Sequence, residues 1–237
     1  NQIGIRNQAY ENSQRELKEH EKIMLSLIKE HLGSKKIDIL DIGCADGIFL
    51  EFLSEEIDCK NIIGIDNDKI LVETANARKY KAENHHIYFD DIDEITQKKH
   101  EINKQKFDAV LASGIFPCIS DVDACIKSLS DLLNDDGYIF IFGSNLSRPV
   151  DLQYAIRPEG ENEWQCQRTV LSLGNLKNIL NKKFNILDIK DFEIPFDLPE
   201  SNNICSTYTV ETVDGKRLIL TQFNVLTEIK FIVAQKK

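Results

Sequence analysis

The chain has 237 residues, of which 42% are apolar and 29% charged, with only 5 Pro and 11 Gly. That balance excludes a disordered, fibrous or disulfide-stapled module, because a chain this long buries roughly 70–75% of its unfolded surface without help. Lys and Arg number 29 against 39 Asp and Glu, a formal charge of −10, which opposes a general nucleic-acid binder and an anionic membrane surface as partner.

Residues 13–32 read as a helix: Ser13 and Glu16 have capping-box spacing, Gly33 supplies the stop, and Leu17, Met24, Leu27, Ile28 and Leu32 recur at helical period. Residues 37–42 form a short β-rich run that ends in Gly43-Cys44-Ala45-Asp46-Gly47, and 48–57 return to a helical pattern. A second strand at 61–65 ends in Asp66-Asn67-Asp68, with a helix at 69–79. A third at 86–89 runs into Asp90-Asp91, with a polar, Lys-rich stretch at 92–106. A fourth strand at 107–112, a helix at 121–133, an Asp136-Gly137 turn and a fifth strand at 138–142 complete the series. Strand and helix thus alternate five times, the pattern of a mostly parallel α/β sheet, and the strands are apolar throughout, as burial on both faces requires.

The rhythm stops there. Residues 143–174 have no clear period, 175–180 look like a helix remnant, and 184–192 alternate like a strand. Strands at 208–212 and 218–220 flank Asp214-Gly215 as a hairpin, and 228–234 form a last strand. The tail is expected to be antiparallel and β-rich. No apolar run reaches 18 residues and no signal peptide is visible, although Asn1 in place of Met leads us to expect a start further upstream. Cys44, Cys59, Cys118, Cys125, Cys166 and Cys205 show neither CxxC nor a grouping with His. We therefore expect no metal, and reduced thiols in a cytoplasmic protein.

Ligands of an open α/β sheet bind outside the carboxyl ends of the strands. There the chain carries Asp41, Gly43, Asp46 and Gly47, then Asp66, then Asp90 and Asp91, then Ser113 and Gly114. Each alone is an ordinary turn or cap residue. Together they outline a site. A dinucleotide-binding loop has the spacing G-x-G-x-x-G, with a pyrophosphate on the helix N-terminus. Here Gly43 and Gly47 are separated by three residues, and Asp41 and Asp46 bring negative charge to that place. This disfavours a nicotinamide dinucleotide and favours a ligand with a cationic head.

The run from Asp41 to Gly47 resembles motif I of the class I S-adenosylmethionine-dependent methyltransferases, D-x-G-x-G-x-G in the usual form, and the likeness covers residues 37–142. It implies a Rossmann-like, doubly wound fold with a mostly parallel seven-stranded sheet, carrying an antiparallel C-terminal addition. It also implies S-adenosylmethionine, with its ammonium and sulfonium, as cofactor. Asp41 and Gly43 would line its methionine part, and Gly47 would permit helix packing. Asp66 would hold the ribose hydroxyls, Asp91 with Ile92 would meet the adenine, and Ser113 with Gly114 would lie beside the sulfonium; Cys44, Ala45 and Asn67 count with them as cofactor-binding. The family often sets an N-terminal aromatic near the methionine carboxylate, and Tyr10 is the candidate. Ala45 replaces the middle glycine, at modest cost unless positive φ is needed there. The fourth strand ends Leu111-Ala112-Ser113-Gly114, without the Asn/Asp-Pro-Pro-aromatic sequence of DNA-adenine and glutamine N-methyltransferases, which again opposes a nucleic-acid substrate.

The chain is expected to be a single domain, with a helical segment at 1–36, a cofactor half at 37–142, and an acceptor lid with C-terminal strands at 143–237. Three of seven arginines, Arg148, Arg157 and Arg168, fall with Tyr154 and Trp164 in the segment after the fifth strand. Arginine pairs bidentately with carboxylate or phosphate, so these five residues are candidate contacts for an anionic small molecule. Pairing with Glu159, Glu161 and Glu163 is the plainer alternative. Of His20, His31, His85, His86 and His100, none stands at an obvious acceptor position, so the base stays open, with Asp151 and Tyr154 candidates by position alone. The long tail is similar in arrangement to methyltransferases of bacterial capsule and surface-polysaccharide biosynthesis, which implies O-methylation of a sugar- or nucleotide-linked acceptor. The hairpin could serve as a lid, a homodimer contact or a plain sheet edge. An NAD(P)-dependent oxidoreductase and a non-catalytic S-adenosylmethionine-binding protein are the alternatives.

Overall fold

A computed structural model describes residues 16–97, 100–146, 148–157, 159–160, 162, 164–200, 207–221 and 225–237. Among the described residues the first helix is α1 (Glu19–Leu32), whose start is held by Glu21 accepting the Lys18 N–H at 2.7 Å; the expected cap Ser13 lies outside the described residues. Helix α1 buries Met24, Leu25, Leu27, Ile28 and Leu32, and stops at Gly33 with φ +64°.

The alternating half follows as β1 (Ile37–Ile42), α2 (Ile48–Glu56), β2 (Cys59–Asp66), α3 (Lys69–Asn76), β3 (Ala82–Phe89), α4 (Ile92–Thr96), β4 (Phe107–Ser113), α5 (Val122–Leu132) and β5 (Leu133–Leu146). Pairs β2–β3, β1–β2, β1–β4 and β4–β5 are all parallel. Adjacent strand residues face opposite ways. Leu40, Val110 and Ile141 pack under α5, while Ile39, Leu111 and Phe140 pack under α1, α2 and α3. Both faces are therefore covered, which explains the unbroken apolar strands. Strand β5 is longer than expected. The Asp136-Gly137 turn lies inside it as a bulge, with Asp136 at φ +63° and the register jumping from Phe107–Leu133 to Ala109–Tyr138.

The tail adds β6 (Leu152–Ile156), β7 (Gln165–Val170), α6 (Leu173–Leu180), β8 (Phe184–Phe192), β9 (Thr207–Glu211), β10 (Arg217–Thr221) and β11 (Leu226–Lys236). The sheet has nine strands rather than seven. Its path runs β3-β2-β1-β4-β5-β11-β10-β9, with β8 also on β11. Strand β11 is antiparallel to β5 and, from Ile229 on, to β8, which completes the expected seven. Its overhanging start, Leu226 and Thr227, pairs with β10 and brings in the hairpin as the two extra strands at the sheet's edge. Strands β6 and β7 form a separate antiparallel ribbon within the segment that showed no period, packed against the 3₁₀ turn Phe116–Cys118 that follows β4. No helix of the described residues is long and apolar enough to cross a membrane.

Candidate functional site

Strand order reverses at β1 and β4, so a crevice opens above their carboxyl ends. The loop after β1 is shaped by three left-handed residues: Gly43 at φ +77°, Ala45 at +50° and Gly47 at +72°. A Cβ on Gly43 would meet Ile115 Cγ2 at 2.6 Å, and one on Gly47 would meet Tyr80 Oη at 2.2 Å and Ala75 Cβ at 2.9 Å. Glycine at 47 therefore lets α2 start against α3. Ala45 does need positive φ, at a cost of roughly 1–2 kcal/mol for an L-residue, and its N–H is held by Asp66 Oδ2 at 2.9 Å.

A cleft of about 760 Å³ lies over this loop. It brings together the expected residues Gly43, Ala45, Asp66, Asn67, Asp91 and Ile92, with Ser113 and Gly114 from the end of β4. Arg168, reaching over from β7, joins them beside Cys118, whose Sγ accepts from Nη1 at 3.5 Å. Ile70, Phe89, Ile115 and Ile119 form apolar walls. Residue type did not mark these walls, and the structure leaves Ile70 and Phe89 53% and 58% exposed, beside the acidic loops. Asp66 is fixed at both oxygens, by Ala45 N–H and by Asp68 N–H at 2.9 Å.

A smaller cavity of about 100 Å³ on the α1 side shares Gly43, Ala45 and Ser113 with the cleft and adds Asp41 and Cys44. Lys18, His20 and Glu21 close it. Asp41 is 5% exposed, and its carboxyl is pushed up to about 7, first by burial and then by the charges of Asp66 and Glu21. Burial, and after it the charges of Asp41, Asp66 and Asp46, push the Cys44 thiol far up, which leaves it unreactive. His20 was not foreseen. Its ring stacks on Phe142 at 4.6 Å and meets Phe192 edge-on at 6.1 Å.

Other expected residues lie elsewhere or have other partners. Asp46 does not leave a net charge in the loop, because Arg78 Nη2 pairs with it at 2.9 Å and Arg78 also reaches Glu51 at 2.9 Å. Asp151 holds the start of α6, accepting the Ser172 N–H at 2.8 Å and the Asn175 amide, and is absent from the described lining of either cavity. Tyr154 lies in β6 opposite Arg168, outside that lining. Arg148 is exposed, and Arg157 sits 5.1 Å over the ring of Trp164, which is 65% exposed. Of the three arginines, the described lining holds Arg168 alone. Tyr10, Glu161 and Glu163 lie outside the described residues. Among the described residues no group of three or more His, Cys, Asp or Glu is placed to hold a metal ion, and Cys44, Cys59, Cys118 and Cys125 are not in disulfides.

The cleft is of the size that takes a nucleoside-bearing ligand, with acids at the β2–β3 end and an arginine at the far end. Residues 40–139 match a family model described as a methyltransferase domain, Methyltransf_12. The ubiquinone biosynthesis O-methyltransferase of Pelagibacter ubique (strain HTCC1062) is 30% identical over 173 residues, covering 65% of this chain and 68% of that protein. Malonyl-[acyl-carrier protein] O-methyltransferase 2 of Ilyobacter polytropus is 22% identical over 179 residues, covering 71% and 66%. Among solved structures, one described as an S-adenosylmethionine dependent methyltransferase from Listeria monocytogenes superposes with TM-score 0.63 at 16% identity, covering 90% of this chain and 98% of that one. N-methyltransferase NodS from Bradyrhizobium japonicum WM9, in complex with S-adenosyl-L-homocysteine, gives 0.51 at 14% identity, covering 91% and 86%.

Proposed function

Because the chain belongs to the class I S-adenosylmethionine-dependent methyltransferases, we propose that it methylates an oxygen of a small acceptor carrying an anionic group. S-adenosylmethionine is the cofactor, and when bound it supplies an electrophilic methyl carbon on a sulfonium. The residues present fit it. Asp66, preorganised by two backbone N–H groups, accepts from the ribose hydroxyls, and Ile70, Phe89 and Ile92 flank the base beside Asp91. In the smaller cavity Asp41 and Glu21 offer carboxylates to the ammonium, and Gly43 lets the backbone come close. The protein's part is chiefly to align the acceptor and exclude water, which can be worth about 7–11 kcal/mol. The names of two relatives, both O-methyltransferases, support oxygen as the accepting atom.

The observation that carries the anionic acceptor is Arg168. It lines the same cleft as Asp66 and Asp91 but at the opposite end, with Ile115, Cys118 and Ile119, where a molecule beside the cofactor would enter. A guanidinium there can fork onto a carboxylate or phosphate. The test is a methyl-transfer screen of aromatic carboxylates, phosphorylated sugars and nucleotide-linked sugars, the last being the acceptors of the surface-polysaccharide reading. Arg168→Gln is expected to raise KM for an anionic acceptor about tenfold or more, since a hydrogen bond to a charged group is worth about 1.5–3 kcal/mol, and to spare neutral ones. Turnover of neutral acceptors only, untouched by Arg168→Gln, overturns the anionic reading.

A further inference from the structure

On the reading that the cofactor's adenine lies at the end of β3, we propose that His100 is a positioning residue for it. His100 acts through Asp90 and fixes the acidic turn against which the base is recognised. It precedes a 3₁₀ turn (Glu101–Lys104), and its Nδ1 accepts the Ile102 N–H at 3.1 Å. A neutral ring that accepts at Nδ1 carries its proton on Nε2. That Nε2 lies 3.4 Å from Asp90 Oδ2, a close approach rather than a formed hydrogen bond, and the ring is held edge-on against Tyr88 at 4.6 Å. The His100 side chain is only 7% exposed and is not part of the described cleft lining, so it reaches the ligand only by way of Asp90.

Asp90 is the centre of the turn. Its Oδ1 accepts the Asp91 N–H at 2.8 Å, and its own N–H donates to the Asp66 carbonyl at 3.1 Å. Asn67 Nδ2 donates to Asp91 Oδ2 at 3.2 Å, which ties the turn to the loop after β2. Asp90 and Asp91 both line the cleft. Carboxylates can accept only, so they favour the exocyclic amine of adenine over the 6-oxo group of hypoxanthine. Capping of the 3₁₀ turn accounts for Nδ1, but not for Nε2 lying within reach of a carboxylate of the cleft.

The two roles separate by substitution. His100→Asn keeps an acceptor for the Ile102 N–H and loses the reach to Asp90. His100→Gln keeps the reach and loses the cap. Full-length protein is titrated calorimetrically with S-adenosylhomocysteine and with S-inosylhomocysteine, alongside melting curves. The expected result is that His100→Asn binds S-adenosylhomocysteine about three- to tenfold more weakly, as for one lost hydrogen bond, with the inosine analogue nearly unchanged. His100→Gln is expected to bind S-adenosylhomocysteine near the wild-type level despite melting lower. Wild-type affinity in His100→Asn overturns the proposal, and so does an equal loss for both nucleosides, which would mark a purely structural residue. A wild-type chain that prefers neither nucleoside overturns it too, and one that fails to bind S-adenosylhomocysteine overturns the cofactor placement beneath it.

Discussion

Asp41 keeps its carboxyl group 5% exposed, with two further acids, Asp66 and Glu21, close enough to act on it. Its folded-state value near 7 lies above the unfolded value of 3.8. The folded chain therefore holds a proton that the unfolded chain has already lost between those limits. Its contribution to stability is complete below about pH 4 and disappears as pH rises through 7. Asp41→Asn is expected to match the wild type in melting temperature near pH 4 and to exceed it at pH 8, while binding S-adenosylhomocysteine more weakly. Thermal denaturation from pH 4 to 8 checks this, and parallel curves for both proteins would refute it. Asp41, Gly43, Gly47 and Asp66 could be picked out from residue type alone, because tight backbone and hydrogen-bonding acids at strand ends need those types. Ile70, Ile115 and His20 could not, since nothing local distinguishes a wall of a cleft from a wall of the core.

Between elements, Arg78 joins the end of α3 to the start of α2. Its guanidinium pairs with Asp46 and Glu51, its Nε donates to the Asp46 carbonyl at 2.5 Å, and both Arg78 and Asp46 side chains are under 10% exposed. Removing one partner of a buried pair leaves the other charge desolvated. Arg78→Met is expected to destabilise by about 3–5 kcal/mol, and Asp46→Asn added to it to recover part of that loss. Urea denaturation of the single and double variants reads both terms; strictly additive losses would mean that the pair does not couple. The alternation of β1 to β5 was readable because two-sided burial demands apolar strands, and α1 because its stripe repeats. The expected cap at Ser13 lies outside the described residues, and within them α1 begins at Glu19, where Glu21 accepts the Lys18 N–H. The β6–β7 ribbon falls in the stretch that showed no period, and Arg168 is carried by that ribbon, opposite Tyr154.

At the scale of the molecule, the loops after β1, β2, β3 and β4, the start of α3 and Arg168 of β7 line one cleft, so a ligand there stabilises the folded chain by mass action. At a hundredfold excess over Kd that stabilisation is about 2.7 kcal/mol. In a chain of this length each kcal/mol raises the melting temperature by about 2–4 °C. S-adenosylhomocysteine at that excess is thus expected to raise Tm by about 5–11 °C. NAD at equal concentration is expected to leave it unmoved, because Asp41 and Asp66 flank the loop where its pyrophosphate would have to rest and the loop offers no second glycine for close approach at Ala45. The −10 net charge acts in the same direction, since it repels a net anion such as NAD at low salt and is screened within about 8 Å at physiological ionic strength. Melting curves with each ligand at 10 mM and 150 mM salt separate the two causes. A NAD shift that emerges only at high salt would place the discrimination in the overall field, and one absent at both would place it in the loop. A shift by NAD at both salts with none by S-adenosylhomocysteine would contradict the loop geometry itself.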